Sequence, residues 1–186
     1  MPNQSSVPAG YSLSLVPAEK PPALREEIVQ LWLQSGALRE REKAEKRVDQ
    51  VLAIARAADG SLAGVASTYA APVPALGDLV MFHFRAFTAP AHRRQRLGGF
   101  LVIQVREALE NRYASMETSQ RGQSPIGLYI ALENSGMHDN YNHAILPISM
   151  AVYIGDNAKG QRQYVYYFAD ARVPVTPIKQ APGTRS

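Results

Sequence analysis

The chain has 186 residues, of which 46% are hydrophobic, and a formal net charge of +4. This length and apolar content predict one domain with a core of its own, and the absence of cysteine excludes a disulfide framework, a zinc-thiolate site, an iron–sulfur cluster and a cysteine nucleophile. The first residues lack a secretory signal pattern, and no window approaches the roughly 20 apolar residues that cross a bilayer, so we expect a soluble, cytoplasmic protein.

The two ends of the chain lack periodic apolar patterns. We expect a flexible N-terminus at residues 1–10, a flexible basic tail at residues 173–186, and one domain over residues 11–172. A basic balance suits an anionic partner such as a nucleotide cofactor or a nucleic acid, but a charge of +4 is also ordinary for a protein of this size. Charge alone therefore does not choose between these functions.

The first half of the domain shows strand and helix patterns in turn. Strands are predicted from period-two alternation, and helices from apolar residues at i, i+3, i+4 and i+7. Asp59-Gly60 between two β-capable runs predicts a hairpin, because glycine accepts a positive φ. In chain order the predictions are a strand at 11–16, an amphipathic helix ending near Gly36, an exposed helix at 39–47, and hairpin strands at 51–57 and 62–69.

The second half begins with a predicted loop at residues 71–77 and a central strand at residues 79–87, which Pro90 ends. A long helix is predicted from Leu97 to about Tyr113. The remaining predictions are a polar linker at 117–124, a strand at 126–132, a short helix at 138–145, and a hairpin with strands at 150–154 and 163–168.

The segment between the central strand and the long helix is the strongest candidate for a binding site. A strand end, a basic glycine-containing turn and a helix start bring free N–H groups and the positive end of a helix dipole to one point, which attracts phosphate. An exposed basic turn without a ligand is the alternative interpretation. The candidate residues are Arg93, Arg94, Gln95, Arg96, Leu97, Gly98 and Gly99.

This segment resembles the acyl-CoA binding motif of the GNAT superfamily of N-acyltransferases, in which a strand and a proline precede Arg/Gln-x-x-Gly-x-Gly/Ala. Alignment on Pro90 matches residues 93–98 to the motif and places Arg96 where the first glycine is expected. A side chain there would either crowd the pyrophosphate or reach round and bind it.

A second resemblance lies further along the chain. GNAT proteins commonly have a strand that ends in Glu-Asn and a tyrosine seven residues beyond the asparagine. Glu133-Asn134 followed by Tyr141 has this spacing. The resemblance implies that Asn134 helps to hold the pantetheine arm of the cofactor and that Tyr141 protonates the thiolate leaving group.

The resemblance implies a mixed α/β (α+β) fold with a mostly antiparallel central sheet, a splayed strand pair and flanking helices. It implies acetyl-CoA or another acyl-CoA as co-substrate, no metal, and a primary amine as acceptor. The backbone of Phe87, Thr88 and Ala89 would bond to pantetheine, and an N–H near Phe87 would stabilise the oxyanion. The base is His83, which titrates near neutral pH, or Glu133 acting through a water; His83 also fits a wall residue between two phenylalanines.

Other functions remain open at this stage. The acceptor could be a nucleic acid or a modified base, because aromatic residues follow Arg162 in the last strand. The missing carboxylate on the central strand and Arg96 also suit an inactive GNAT-fold binding or regulatory module. Exposed last strands would make a homodimer plausible. A metal site at His138, Asp139 and His143 is disfavoured, because residues five apart on a helix do not share a face.

Overall fold

The computed structural model describes residues 7–133 and 142–173, in which the chain forms a mixed α/β fold. The strands are β1 Tyr11–Leu15, β2 Val51–Ala57, β3 Leu62–Val73, β4 Leu79–Thr88, β5 Gly127–Leu132, β6 Val152–Asp156 and β7 Arg162–Tyr167. The helices are α1 Pro22–Gln34, α2 Arg41–Val48, α3 Leu97–Ala114 and α4 Thr118–Arg121, with short 3₁₀ turns at Pro74–Leu76 and Pro90–His92. No helix within these ranges is long and apolar enough to span a membrane.

The strands form a single seven-stranded sheet in the order β1-β2-β3-β4-β5-β7-β6. Every neighbouring pair is antiparallel except β4 and β5, which run parallel. A parallel pair needs a crossover, and α3 lies in the connection between these two strands. The predicted mixed, mostly antiparallel sheet with β4 at its centre is therefore confirmed.

Helices cover both faces of the sheet. The apolar stripe of α1, with Ile28 and Trp32, joins α2 and one face of the sheet in one core, while Leu101 and Val105 of α3 join the other face in a second core. Neighbouring residues of β2 divide between the two, since Ile54 packs in the first core and Ala55 in the second. This is the alternation that a strand imposes on its side chains.

β3 is longer than predicted, because it continues through Pro72 to Val73 instead of ending in a loop. Pairing between β2 and β3 ends at Ser67, whereas pairing between β3 and β4 continues to Val73 opposite Leu79. The last part of β3 is thus a sheet edge, where a residue without an N–H is tolerated. The predicted loop at 71–77 shrinks to the 3₁₀ turn and Gly77, which has a φ of 65°.

Two further predictions were wrong in the described residues. The polar linker at 117–124 contains α4, which a reciprocal capping box between Glu117 and Gln120 stabilises. The predicted helix at 138–145 lies outside the described residues up to 141, and its last four residues are not helical. Ile145 instead forms a β-bridge with Val152, because this segment lies along β6 and bonds to its backbone.

Candidate active site

The parallel pair β4 and β5 separates towards its carboxyl ends. Their pairing covers only residues 82–84 of β4, opposite 128–130 of β5, with Phe84 opposite Ile130 at its end. β4 nevertheless remains paired with β3 as far as Thr88 opposite Gly64. The two strands therefore leave a gap whose β4 side runs from Arg85 to Thr88.

The direction of the backbone groups along this gap follows from the β3 pairing. The N–H of Ala89 donates to Ala63 O at 2.9 Å, so the backbone of Phe87, two residues earlier, also faces β3. A Cβ added at Gly64 would lie 3.0 Å from Phe87 O, which confirms that direction. The groups that face the gap belong to Ala86 and Thr88. The sequence predicted that the backbone of Phe87, Thr88 and Ala89 would bond to pantetheine. The backbone groups of Phe87 and Ala89 bond to β3 instead, so that, of these three residues, only Thr88 has backbone groups that face the gap.

The turn after β4 leads into α3 with several amides that donate to no described residue. Arg94 and Arg96 have positive φ angles of 69° and 60°. The N–H of Gly99 donates to Arg96 O at 2.9 Å, while the amides of residues 94–98 have no acceptor among the described residues. Consecutive free amides at a helix start form a concave anion site.

The side chains of this turn divide into two groups. Arg93, Arg94, Gln95 and Arg96 are exposed beside the free amides, whereas Leu97 is buried in the α3 core. A Cβ at Gly98 would meet only Ala86 Cβ, at 4.0 Å, but one at Gly99 would lie 3.0 Å from Ile148 Cδ1. Gly99 therefore serves the packing of Ile148, and Gly98 leaves space beside the gap.

His83 lies on the β4 face that α1 and α2 cover, between two tyrosines. Its ring centroid is 4.9 Å from that of Tyr69 on β3 and 4.5 Å from that of Tyr129 on β5, and Tyr69 Oη lies 3.4 Å from His83 Nδ1. His83 Nε2 is buried without a hydrogen-bond partner among the described residues. Burial lowers the pKa of His83 below 6.5, against the opposing effect of the Ala71 and Pro72 carbonyls.

Arg85 lies on the same face as His83, two residues nearer the gap. Its guanidinium carbon is 4.1 Å from the centre of the Tyr69 ring, and Nη2 donates to Gln50 Oε1 at 2.7 Å. Sequence periodicity indicates which residues of β4 share a face, but the contacts with Tyr69 and Gln50 depend on strand register and were not predicted.

Other predicted site residues are less informative. Glu133 follows β5 and is exposed, while Asn134 and Tyr141 lie outside the described residues, as do His138 and Asp139. Within residues 7–133 and 142–173, no group of three or more His, Cys, Asp or Glu side chains could hold a metal.

The aromatic residues of β7 do not form an exposed stacking surface. Tyr164 and Phe168 are buried, and Tyr166 Oη donates to the Glu110 carboxylate at 3.0 Å, which leaves Tyr167 exposed. These residues therefore fill the sheet face and its contact with α3, as the period-two pattern also allowed.

No protein-family model and no curated protein sequence matches this chain significantly. Solved structures do. A GNAT-family acetyltransferase from Streptococcus agalactiae is 12% identical with a TM-score of 0.54, over 86% of this chain and 96% of that one. The ribosomal-protein-S18-alanine N-acetyltransferase from Escherichia coli is 13% identical with a TM-score of 0.53, over 89% and 99%. A GNAT-family N-acetyltransferase from E. coli in complex with CoA is 16% identical with a TM-score of 0.52, over 89% and 86%. The chain has the GNAT fold.

Proposed function

We propose that this protein is a GNAT-type N-acyltransferase that moves an acetyl or other acyl group from acyl-CoA to a primary amine. The observation that carries the proposal is the gap between β4 and β5, which opens beside the free amides at the start of α3. The GNAT fold and the CoA complex of one structural neighbour add support. The residues around the gap suit a ligand with an anionic end and an amide-containing arm.

The turn before α3 suits the pyrophosphate of CoA. Its amides from Arg94 to Gly98 are free among the described residues, and the exposed Arg93, Arg94 and Arg96 add positive charge. The backbone of Ala86 and Thr88 would bond to the pantetheine amides, which extends the sheet where β5 has left it. Asn134, to which the GNAT resemblance assigns a contact with the pantetheine arm, would add to this binding.

Transfer requires an amine nitrogen to attack the thioester carbonyl, so that a C–N bond forms and the C–S bond breaks. His83, whose lowered pKa keeps it neutral at pH 7, or Glu133 through a water, would accept the amine proton. The gap-facing N–H of Ala86 or Thr88 would stabilise the oxyanion. Tyr141 would return a proton to the CoA thiolate.

The proposal is tested by thermal unfolding of the full chain with acetyl-CoA, CoA and ATP, followed by a CoA-release assay over a panel of amines. A ligand that binds only the folded state raises the midpoint, so we expect a selective rise with acetyl-CoA and CoA. Absence of any rise at a large excess would contradict the proposal. Tyr141→Phe should keep the rise and lose turnover, whereas Tyr167→Phe, at an exposed position of β7, should keep both.

A binding or regulatory module is a second candidate function. No residue of β4, from Leu79 to Thr88, is an Asp or Glu, so the strand offers no carboxylate base. A module of this kind would bind CoA but release none from acetyl-CoA with any amine, and Tyr141→Phe would have no effect. The same two assays therefore separate it from the enzyme.

A further inference from the structure

A basic cleft lies between α2 and the sheet, on the face that carries His83. It has a volume of about 240 Å³. Its lining comes from the segment between α1 and α2, from α2, from the residue that precedes β2, and from β4, where Arg85 is two residues from both His83 and Phe87. The lining residues are Leu38, Lys43, Lys46, Arg47, Gln50 and Arg85.

Arg85 is the unusual member of this cleft. Its Nε is buried and has no hydrogen-bond partner among the described residues, although Nη2 bonds to Gln50 and the guanidinium stacks on Tyr69. No carboxylate of the described residues lies within ion-pair distance of it. Burial, and after it the charge of Arg47, lowers the pKa of Arg85, while Tyr69 and Glu133 act in the opposite direction. A buried donor on a charged group is costly to leave unpaired.

The rest of the cleft does not neutralise this charge. Lys43 pairs with Glu40 at 2.8 Å and Lys46 with Glu42 at 2.6 Å, so each lysine already has its own acidic partner on the surface. Arg47 forms no ion pair with any described residue. Two guanidinium groups therefore line one small cleft, and neither forms an ion pair with a described residue.

We propose that Arg85 and Arg47 bind an anionic group of the acceptor, so that the enzyme acts on small amines that also carry a carboxylate or a phosphate. This inference rests on the proposed acyltransferase function. The planar fork of a guanidinium binds either group through two parallel hydrogen bonds. Gln50 and Tyr69 fix the orientation of that side chain, and the charged amine end then extends along β4 towards His83.

The test uses pairs of amines of which one member carries an anionic group, and the Arg85→Gln variant corrects for differences in amine basicity within a pair. Glycine and alanine are compared with their amides, and phosphoethanolamine with ethanolamine, in the CoA-release assay with the full chain. We expect kcat/KM to be at least about tenfold higher for the anionic member of one pair, and Arg85→Gln to remove that preference. The pair of amines that shows this preference identifies the anionic group as a carboxylate or a phosphate. Equal use of both members, or a preference that survives Arg85→Gln, would overturn the inference.

Controls separate this result from folding and from the cofactor site. Arg85→Gln removes a half-buried charge that has no ion-pair partner among the described residues and keeps an amide donor on the side chain, so we expect the fold to be retained. Arg47→Gln is a second variant, expected to weaken the preference, and Arg112→Gln, at an exposed position of α3, is expected to preserve it. The midpoint rise with CoA should be the same in all four proteins, because the cleft does not include the turn before α3.

A binding experiment tests the inference if the protein acylates none of these amines. The midpoint rise caused by inorganic phosphate is then measured on protein saturated with CoA. A rise that Arg112→Gln keeps and Arg85→Gln loses supports an anion site in the cleft, and an equal rise in both variants overturns it. If CoA itself does not raise the midpoint, the proposed function is contradicted. In that case Arg85→Gln and Arg112→Gln are compared with phosphate in the absence of CoA, and this comparison shows whether the cleft binds an anion.

Discussion

His83 lies directly opposite Tyr129 in the short parallel pairing of β4 with β5, with ring centroids 4.5 Å apart. Tyr129 is itself fixed, because its hydroxyl donates to Gln163 Oε1 at 2.8 Å. Tyr69 covers the other side of the imidazole. His83 is therefore held between two aromatic rings on the sheet face, two residues before the gap between β4 and β5 begins.

The first prediction concerns the pH dependence of stability. Burial lowers the pKa of His83 in the folded state, so the unfolded chain binds a proton first as the pH falls through 6.5. This contribution to stability is complete above pH 6.5 and is lost as the pH falls from there through the folded-state pKa. We measure the thermal midpoint of the wild type from pH 8 to pH 5. The midpoint should decrease at pH values below 6.5.

His83→Phe should flatten this part of the profile, because it keeps the aromatic contacts with Tyr69 and Tyr129 and removes the titrating group. His143→Gln, at an exposed position, is the matched control and should retain the wild-type slope. Carboxylates with a lowered pKa, such as Glu26 at about 2, act at more acidic pH and do not confuse the result. An unchanged slope in His83→Phe would contradict the prediction.

The second prediction concerns Arg96, which stands where the GNAT acyl-CoA motif has its first glycine. Arg96 has φ 60° and ψ 17°, a left-handed conformation that costs a residue with a Cβ about 1 kcal/mol. Arg96→Gly relieves this strain but adds entropy to the unfolded chain, so it should raise the free energy of unfolding by up to about 0.5 kcal/mol in urea denaturation. Gln95→Gly should lower the free energy of unfolding by roughly 0.5 to 1 kcal/mol. Gln95 does not have a positive φ, so the glycine relieves no strain and only increases the entropy of the unfolded chain.

The same variant decides what the Arg96 side chain does for the cofactor. We expect Arg96→Gly to weaken CoA binding several-fold in calorimetric titration, with a smaller loss at high salt, since an exposed charge near the pyrophosphate is removed. Tighter binding by the glycine variant would show that the side chain crowds the site.

The elements of this fold were largely predictable because their signals are local. The alternation of residues 11–16, the Asp59-Gly60 turn and the apolar repeat that begins at Leu97 each depend on neighbours in the chain. The direction of the Thr88 and Phe87 backbone, however, depends on which residues of β3 pair with β4. The setting of Arg85 depends on Gln50 and Arg47, which only the tertiary fold brings beside it.

The third prediction concerns close packing at the start of β5. A Cβ at Gly127 would overlap the carbonyl oxygen of Tyr166 and lie 2.9 Å from Met81 Cε. Gly127→Ala should destabilise the protein by about 3 kcal/mol, because backbone of β7 must shift. Gly98→Ala is the control: its Cβ meets only Ala86 Cβ at 4.0 Å, and stability should stay within about 1 kcal/mol of the wild type. Similar unfolding curves for the two variants would contradict the packing described here.

The fourth prediction concerns the link between α3 and the end of β7. The Glu110 carboxylate accepts hydrogen bonds from Tyr166 Oη at 3.0 Å and from the N–H of Ala169 at 2.7 Å. Glu110→Ala leaves both donors without this acceptor and should lower the free energy of unfolding by about 1 to 2 kcal/mol. Tyr166→Phe removes one of the two bonds and should cost less.

Glu107→Ala provides the matched control for Glu110→Ala. Glu107 lies one turn earlier on α3, its side chain is 55% exposed, and its carboxylate contacts the largely buried Arg106 at 3.6 Å. This contact is longer than either bond of Glu110, so its removal should change stability by no more than about 1 kcal/mol. If both alanine variants unfold at the same urea concentration, Glu110 does not fix β7 to α3. If only Glu110→Ala is destabilised, hydrogen exchange should quicken at Tyr167 and Phe168, because the end of β7 loses its anchor while β5 retains its pairing with the rest of the strand.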